Sequence, residues 1–322
     1  MIQLKLANFL TGFVSTLAFA FTISEDTVSV HYDGMEEVSG VASDGEHYLV
    51  VGNRENNFIL QIPDKEYRIE TQLTDLESIE WVKLEDGQEL FFLLSEEDKT
   101  LIELRDDNGI LKVTKNYEFA GSEWNASEGR GLEGLAVKGP GANGNLEVAV
   151  LWEGGFAQVG GQKPPVNWDI KKPRLATFEW KPGGGVQGAV KTFEVQVPTP
   201  PASQADGKAQ GFRATDLVWN GDALLMLLGS TSSNGKGPYD HTWLQNFCLS
   251  ATSRTADPVS DEIVLYLAGN ENNALKGKNW EALDWKEPEG KNLVFGYDAP
   301  NKGDGYIHLW EYPDTRNITC SQ

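Results

Sequence analysis

Short apolar segments separated by turn residues run along the chain, and five of them begin in the same way. Each starts with an oxygen-bearing side chain, continues with a small or polar residue, and is followed by a Gly-, Asp- or Asn-rich turn and a second apolar run. The five segments are residues 39–42, 77–81, 133–137, 215–219 and 281–285. Short apolar runs bounded by turn signals predict β-strands, and recurrence at this scale predicts a repeat architecture.

The repeats predict an all-β fold, a five-bladed β-propeller of four-stranded antiparallel blades. Four repeats offer four apolar runs each, whereas the fifth offers three. A further run at residues 27–32 precedes the first repeat, and we expect it to complete the fifth blade and close the ring. Residues 21–322 are therefore predicted to form a single β-propeller domain. A six-bladed alternative would need another blade from residues 154–210, whose Gly and Pro content is typical of loops.

The first 20 residues have the pattern of a targeting segment. Lys5 supplies a sparse positive region, residues 10–20 are apolar, and Ala18-Phe19-Ala20 fits a small-x-small cleavage site. The apolar stretch is short for a membrane span. We therefore expect a signal peptide at residues 1–20, no stable membrane span, and a secreted or periplasmic protein, with a short signal anchor as the alternative.

Two cysteines, Cys248 and Cys320, are the full complement, and they have no CxxC spacing. In an oxidising compartment they would form one disulfide between the C-terminal tail and the fourth repeat. Two unpaired buried thiols are the alternative.

Charge narrows the classes of partner. The net charge of -21 argues against nucleic acid and anionic membrane surfaces. No GxxxxGK[ST] or GxGxxG motif is present, so a phosphate-cradling nucleotide fold is not indicated. A small phosphorylated substrate or an extracellular ligand remains as the expected partner.

The starts of the five segments predict a metal site. In an up-and-down blade the first strand starts, and the second strand ends, at the same face, so five side chains should converge on the axis: Ser39, Glu77, Glu133, Thr215 and Glu281. Three carboxylates and two hydroxyls suit Ca²⁺, which takes six to eight oxygens in irregular geometry. Asp216 would add a carboxylate if its strand slips by one residue. The alternative is that Arg130 and Arg213 neutralise the glutamates and water fills the channel.

Further charged residues are expected at the same face. Ends of second strands place Glu96, Glu153 and Asp298 there as candidate general bases, provided one reaches a metal-bound water. Three arginines would contact phosphate oxygens: Arg54, Arg130 and Arg213. Together they describe a calcium-assisted phosphoester hydrolase.

Several motifs resemble exported propeller families. Ser39-Gly40-Val41, Asp75-Leu76-Glu77-Ser78-Ile79 and Leu94-Ser95-Glu96 are similar to the SdiA-regulated periplasmic family. Gly129-Arg130-Gly131-Leu132-Glu133-Gly134-Leu135-Ala136, with Glu153 after the next strand, resembles the "esterase-like activity of phytase" family. The order Ser, Glu, Glu, Thr, Glu is similar to the calcium ring of calcium-activated nucleotidases. These resemblances imply a five-bladed fold with Ca²⁺ at its axis, and a phytase-like or nucleotidase-like activity.

A non-catalytic propeller is the competing hypothesis. In it, Ca²⁺ holds the blades together and the same face binds an extracellular or periplasmic ligand. Arginine placement distinguishes the two functions. Phosphate chemistry needs exposed arginines beside the metal, whereas a scaffold would bury them against glutamates.

Overall fold

The computed structural model describes residues 28–31, 38–52, 58–62, 65–121, 124, 131–153, 155–158, 168–197, 211–231, 241–260, 263–267, 279–287, 292–298, 306–313 and 318–320. Within these residues the secondary structure is made of strands, β1 to β23. None of the described residues forms a helix long and apolar enough to cross a membrane. The predicted signal peptide at residues 1–20 lies outside the described part.

Antiparallel meanders follow one another along the chain. The first contains β2 (Gly40–Ser43), β3 (Tyr48–Val51), β4 (Phe58–Ile62) and β5 (Lys65–Ile69), and the second contains β6 (Leu76–Lys83), β7 (Glu89–Ser95), β8 (Thr100–Asp107) and β9 (Ile110–Glu118). The third contains β10 (Leu132–Lys138), β11 (Leu146–Trp152), β14 (Arg174–Lys181) and β15 (Gly185–Val195). The fourth contains β16 (Gly211–Asn220), β17 (Ala223–Thr231) and β18 (His241–Ser250), and then β19 (Thr255–Pro258) and β20 (Ile263–Leu267), which both pair with β18.

The fifth meander is completed from the other end of the chain. It contains β21 (Asn279–Trp285), β22 (Asn292–Asp298) and β23 (Tyr306–Pro313), and β1 (Val28–His31) pairs antiparallel with β23. This is the pairing that the run at residues 27–32 predicted. An N-terminal strand in this place covers the outer edge of β23, whose backbone groups would otherwise be unpaired.

The meanders do not form five separate four-stranded sheets, as the sequence led us to expect. Parallel pairing of β5 with β9 joins the first two meanders into an eight-stranded sheet. Parallel pairing of β15 with β19 joins the third and fourth into a nine-stranded sheet. In both places two residues of one outer strand pair with two residues of the other, which covers part of two otherwise exposed edges.

The first strands of the meanders form a closed cycle of neighbours. Contacts run from β2 to β6, from β6 to β10, from β10 to β16, from β16 to β21 and from β21 back to β2. Close approach explains the small residues at this level. A Cβ on Gly40 would lie 2.8 Å from the Cα of Ser78, and one on Gly134 would lie 2.9 Å from the Cα of Asp216. The structure is thus an all-β, propeller-like arrangement around an axis.

Apolar cores lie between successive meanders, and each of the five clusters of described buried side chains spans two neighbours. Between the second and third, Phe92 packs edge-on against Trp180 with ring centroids 5.8 Å apart. A buried carboxylate reinforces this interface, since Glu103 accepts hydrogen bonds from Trp180 Nε1 at 2.6 Å and from the N–H of Gly183 at 2.9 Å. Between the fifth and first, Val294 packs with Val50.

The insertion of the third repeat differs from the sequence prediction, whereas the predicted disulfide is confirmed. The insertion of the third repeat, expected to be a loop, contains a hairpin of β12 (Gly155–Gln158) and β13 (Trp168–Lys171). The Cys248–Cys320 disulfide is present, with the Cα atoms 5.7 Å apart. It attaches the tail to the fourth meander, where Asp222 also donates its N–H to the carbonyl of Ile318 at 3.3 Å.

Candidate metal site

A β-bulge occurs at the predicted axial residue in four of the first strands. Pairing with the second strand skips Glu77 in β6, Glu133 in β10, Thr215 in β16 and Glu281 in β21. A bulge interrupts the alternation of side chains and re-aims the extra residue. Ser39 directly precedes β2, and its N–H continues the pairing with β3. The same local irregularity therefore recurs at the same end of the ring.

Carboxylates converge at this end, which we call the mouth. Oxygens of Glu96, Glu133 and Glu153 lie within 4.8 Å of one another, and so do oxygens of Asp75, Glu77 and Glu96. We call these five residues the mouth cluster. Glu96 belongs to both groups, and all members except Asp75 are more than nine-tenths buried. Two predicted axial glutamates and two predicted bases are thus brought together.

A glycine makes room for the shared carboxylate. A Cβ on Gly131 would lie 2.5 Å from Cγ and 2.8 Å from Oε1 of Glu96. Distances this short exclude any side chain while Glu96 keeps its position. Gly131 also accepts a hydrogen bond from the N–H of Glu153 at 3.1 Å, which fixes the start of β10 against the end of β11.

One arginine is embedded among the glutamates. Arg213 Nε donates to Glu153 Oε2, its Nη2 lies 3.5 Å from Glu133 Oε1, and its Nη1 lies 3.9 Å from Glu281 Oε1. Only 15% of its side chain is exposed. Sequence analysis assigned Arg213 to phosphate binding, but all three nitrogens of its guanidinium face carboxylates. This position of Arg213 agrees with the alternative prediction, in which arginine side chains neutralise the axial glutamates.

Four oxygens near the axis are buried without a hydrogen-bond partner among the described residues: Ser39 Oγ, Thr215 Oγ1, Glu96 Oε1 and Glu153 Oε1. A buried polar atom left unpaired costs about 1–3 kcal/mol, so such atoms call for an explanation. Ca²⁺ takes oxygen ligands, and its Ca–O distance of about 2.3–2.6 Å places ligands on opposite sides of the ion roughly 5 Å apart. The 4.8 Å limit on the carboxylate oxygens is compatible with that span. The residues therefore fit a calcium ion.

Burial and mutual repulsion raise the pKa values of three glutamates of the mouth cluster, Glu77, Glu96 and Glu133. For Glu77 the pKa is raised first by burial and then by the charge of Glu281. For Glu133 burial is again the largest cause, followed by Glu153. Burial, with Asp75 and Glu153 nearby, raises the pKa of Glu96 to about 8. Arg213 opposes the shift in all three glutamates, but a single guanidinium does not cancel it. A divalent cation would complete the neutralisation.

Asp216 lies one position beyond the mouth and links backbone amides of three meanders and a hydroxyl group of a fourth. Its Oδ1 accepts hydrogen bonds from the N–H groups of Leu217 at 2.9 Å and Leu135 at 3.3 Å, and its Oδ2 accepts one from Leu283 at 2.7 Å. Ser78 Oγ donates to Oδ1 at 3.4 Å. Because the bulge takes up Thr215, Asp216 is directed at backbone amides rather than at the mouth. It does not supply the missing axial carboxylate that a slipped strand would have provided.

Two more buried acids lie further along the first strands. Asp284 accepts hydrogen bonds from the N–H groups of Ser43 and Trp285, both at 2.7 Å, and Glu80 accepts one from Val137 at 3.3 Å. Burial raises the pKa of Asp284 to about 7 and that of Glu80 well above its usual range. These carboxyls connect the fifth meander to the first and the second to the third.

The remaining predicted residues are placed as follows. Arg54 and Arg130 lie outside the described residues. Asp298 is the last residue of β22, and its side chain is outside the described part. Glu281 is near the mouth cluster through Arg213 and through its charge interaction with Glu77.

Sequence analysis missed Asp75, Glu80 and Asp284. A signal for the last two was present, because Glu80 follows Glu77 by three positions and Asp284 follows Glu281 by three. In a regular strand, residues three positions apart point to opposite faces of the sheet. A bulge at the axial glutamate interrupts this alternation, so the repeated spacing of three is a trace of the bulge. Asp75 directly precedes β6, so neither strand alternation nor the repeat pattern marks it as an axial residue.

A cavity of about 580 Å³ lies elsewhere, at the turn after β10. Its lining includes Lys138, Asn143, Asn145 and Glu179, and none of the predicted site residues. Both asparagines donate a hydrogen bond to Glu179 Oε2, Asn143 at 3.0 Å and Asn145 at 2.8 Å. The predicted site is the axial mouth, not this cavity.

Comparison with known proteins gives structural similarities of low identity. An exo-β-1,3-galactanase from Clostridium thermocellum matches with a TM-score of 0.47 and 9% identity, over 90% of this chain and 61% of that chain. An exo-β-1,3-galactanase from Phanerochaete chrysosporium matches with a TM-score of 0.46 and 9% identity, over 88% and 60%. The PQQ-bound aldose sugar dehydrogenase from Streptomyces coelicolor matches with a TM-score of 0.38 and 10% identity, over 91% and 99%.

The chain spans about three fifths of the length of the two galactanases. No protein-family model and no curated protein matches it. The comparisons therefore do not support the specific resemblance to the SdiA-regulated or phytase-related families. At these TM-scores the structural similarities carry no conclusion about activity.

Proposed function

We propose that the protein is an exported calcium-binding β-propeller, in which the five meanders are the blades of one ring and Ca²⁺ binds at the axial mouth. The mouth cluster would supply carboxylate ligands, and Ser39 and Thr215 would supply hydroxyl oxygens. These side chains come from the first four meanders, so a shared ion would join blades that are far apart in sequence.

The unpaired buried oxygens carry this proposal. Glu153 is fully buried, and Ser39 and Thr215 are 1% and 2% exposed, yet each holds an oxygen without a described hydrogen-bond partner. Arg213 accounts for only some of the carboxylate oxygens, namely Oε2 of Glu153 and Oε1 of Glu133. A cation would take up the remaining ones, and mass action would then stabilise the folded ring.

A binding or scaffolding role is favoured over phosphate chemistry by the position of Arg213. Its guanidinium is directed into the carboxylates and is largely buried. In this role the chain's own residues hold the ion and keep the ring closed, and the mouth presents a ligand surface. The bound ion would neutralise the carboxylates and could also polarise an oxygen of a ligand.

Calcium-dependent phosphoester hydrolysis is the second candidate, and one observation favours it. Glu96 belongs to both carboxylate groups of the mouth cluster. Its carboxylate would therefore lie beside a water held by an ion at the mouth, which is the position that a general base needs. Glu153 and Asp298 remain the other candidate bases.

Calorimetric titration of the metal-free protein with CaCl₂ tests the main proposal. We expect saturable binding, weakened about tenfold or more in Glu133→Gln, because one anionic ligand is lost. Glu118→Gln, an exposed acid of β9, is the matched control and should bind like the wild type. Absence of binding in the wild type, or equal affinity in the two variants, would contradict the proposal.

Activity is tested separately with an activated phosphomonoester, phytate and a nucleoside diphosphate, each with CaCl₂ or with a chelator. Calcium-dependent turnover that Glu96→Gln abolishes would establish the hydrolase. Calcium binding without turnover on this panel would leave the binding role.

A further inference from the structure

A groove lies beside β9, the outer strand of the second meander, on the face that packs toward the first meander. Its volume is about 460 Å³, which is within the usual range of ligand sites. Leu73, Ile102 and Val113 give it an apolar part. Val113 is 37% exposed, so this apolar part is open to solvent. The groove shares no residue with the mouth cluster.

The outer edge of β9 is only partly covered. On its inner side β9 pairs with β8 along the whole strand, whereas on its outer side it pairs with β5 at Ile110 and Leu111 only. From Lys112 to Glu118, no described strand pairs with the outer edge. An edge of this kind presents backbone groups that another strand can use.

The pairing with β8 shows which backbone groups point outward. The N–H of Phe119 donates to the carbonyl of Lys99, which directly precedes β8, at 2.9 Å. In an antiparallel pair, residues alternate between those bonded to the partner strand and those directed away from it. Counting back from Phe119 directs Glu118 and Asn116 away from β8. The N–H groups of both residues and the carbonyl of Asn116 therefore face the open side.

The polar part of the groove is acidic. Asp98 and Glu118 are the ionisable residues of its lining, and both are exposed. Asp98 accepts hydrogen bonds from the hydroxyl groups of Thr74 and Ser95, at 3.1 and 3.5 Å. Neither acid has an ion pair among the described residues. The groove therefore favours a positively charged group.

The lysines of β9 do not cover this side of the edge. Lys115 is opposite Glu103, whose carboxylate accepts a hydrogen bond from Trp180 of the third meander. Residues opposite each other share a face of the sheet, so Lys115 lies on the face away from the groove. Lys112 is paired with Asp107 at 2.6 Å, near the turn that begins β9. Lysines that protect an edge strand are thus absent from the described groove lining.

We propose that the outer edge of β9 and this groove bind an extended, basic peptide segment of a partner protein by strand addition. The backbone of the peptide would pair with Asn116 and Glu118 and continue the line of β5. Alternate side chains would enter the groove, apolar ones against Leu73 and Val113 and a basic one beside Asp98. In strand addition the backbone hydrogen bonds give affinity, and pockets for alternate side chains give specificity. The net charge of -21 disfavours a second copy of this chain as the occupant.

Fluorescence anisotropy with a labelled hexapeptide of alternating lysine and valine tests this proposal. The comparison peptide has the same residues with every backbone amide N-methylated, so it keeps the charge but cannot donate backbone hydrogen bonds. We expect the wild-type protein to bind the unmethylated peptide about tenfold or more tightly than the methylated one. A hexapeptide of alternating glutamate and valine should not bind, because its charge has the wrong sign.

Variants of β9 locate the site. Asn116→Pro removes an outward N–H, and proline is tolerated on an edge strand where the N–H faces solvent. Asn116→Ala keeps that N–H, so the proline variant should bind the peptide about tenfold or more weakly than the alanine variant. Glu118→Lys should weaken binding about threefold or more. Glu147→Lys makes the same charge change at an exposed position of β11 and should leave the affinity unchanged.

Attraction of a cation to an acidic protein is the competing explanation of peptide binding. Equal affinity for the two lysine–valine peptides, or equal affinity in Asn116→Pro and Asn116→Ala, would overturn the proposal in its favour. Absence of binding in the wild type would overturn it as well. If Asn116→Pro unfolds, the methylated peptide and Glu118→Lys still decide. Sedimentation that shows a dimer dissociated by Asn116→Pro would assign the edge to a second copy and would also contradict the proposal.

Discussion

Replacing Asp216 with alanine removes a carboxylate that holds the first strands of three meanders together. The carboxylate accepts backbone hydrogen bonds from Leu135, Leu217 and Leu283, at 3.3, 2.9 and 2.7 Å. First strands around the axis contact one another without pairing as a continuous sheet. The carboxylate of Asp216 therefore accepts backbone hydrogen bonds between meanders, as backbone carbonyls do within a sheet.

The expected loss of stability follows from the three amides. Each buried N–H left without an acceptor costs about 1–3 kcal/mol. Removing a buried acid returns part of this, because burial already raises the pKa of Asp216 and so opposes its charged form. A water in the emptied space can restore one more bond. We therefore expect Asp216→Ala to lower the free energy of unfolding by about 3–5 kcal/mol.

Asp216→Asn should be nearly as damaging. Its amide keeps one acceptor oxygen but places an NH₂ group against at least one of the backbone N–H donors. Two donors facing each other cannot form a hydrogen bond. A carboxylate is the group that accepts on both sides, which explains why an acid is found at this position despite its burial.

Urea denaturation followed by tryptophan fluorescence measures the effect, since the chain has ten tryptophans. Asp86→Ala is the matched control, because this exposed aspartate accepts only a local turn hydrogen bond, from the N–H of Gln88 at 2.9 Å. We expect it to cost less than about 1 kcal/mol. If Asp216→Ala costs no more than Asp86→Ala, the reasoning about inter-meander hydrogen bonds is refuted.

Three further predictions concern packing, protonation and the disulfide. Gly134→Ala should lower the free energy of unfolding by about 1–3 kcal/mol or more, because the new Cβ would lie 2.9 Å from the Cα of Asp216. Gly139→Ala is the control and should be neutral, because no atom lies within 4 Å of its Cβ position. Equal urea midpoints for the two variants would contradict this prediction. Because the pKa of Asp284 is raised to about 7, its contribution to stability is complete below about pH 4 and is lost as pH rises through 7. Metal-free protein should thus be less stable at pH 8 than at pH 5, and Asp284→Asn should reduce that decline; an unchanged slope would count against it. Cys320→Ser should lower the free energy of unfolding by about 4 kcal/mol, because the disulfide closes a loop with a sequence separation of 72. Adding a reductant to the wild-type protein should lower its stability by the same amount. A loss of less than about 1 kcal/mol would contradict a stabilising role for this disulfide.

The all-β fold and the order of the strands could be read from the sequence because strand length and turn chemistry are local properties. The pairing of the run at residues 27–32 was also predicted correctly, because the last repeat had only three strands and needed a fourth. The joined sheets could not be foreseen. Parallel pairing of β5 with β9 involves Arg68, Ile69, Ile110 and Leu111, with a hydrogen bond from the N–H of Glu70 to Leu111, and nothing in their identities specifies it.

The convergence of acids at the axis could also be predicted, but the surroundings of each acid could not. Glu133 and Glu153 come together because the start of β10 and the end of β11 share a face. Arg213 was expected to face a substrate, yet it lies against Glu133, Glu153 and Glu281, two positions before the bulge at Thr215. A bulge is a backbone feature of a folded pair of strands and leaves only a faint trace in one sequence.

The most direct test of the account is a crystal structure of the protein grown with CaCl₂, with anomalous diffraction used to locate the ion. We predict a single strong peak at the axis, about 2.3–2.6 Å from oxygens of Glu96, Glu133 and Glu153, with hydroxyl oxygens of Ser39 or Thr215 nearby. Well-defined density for these side chains without a peak between them would contradict the claim that a divalent cation occupies the mouth.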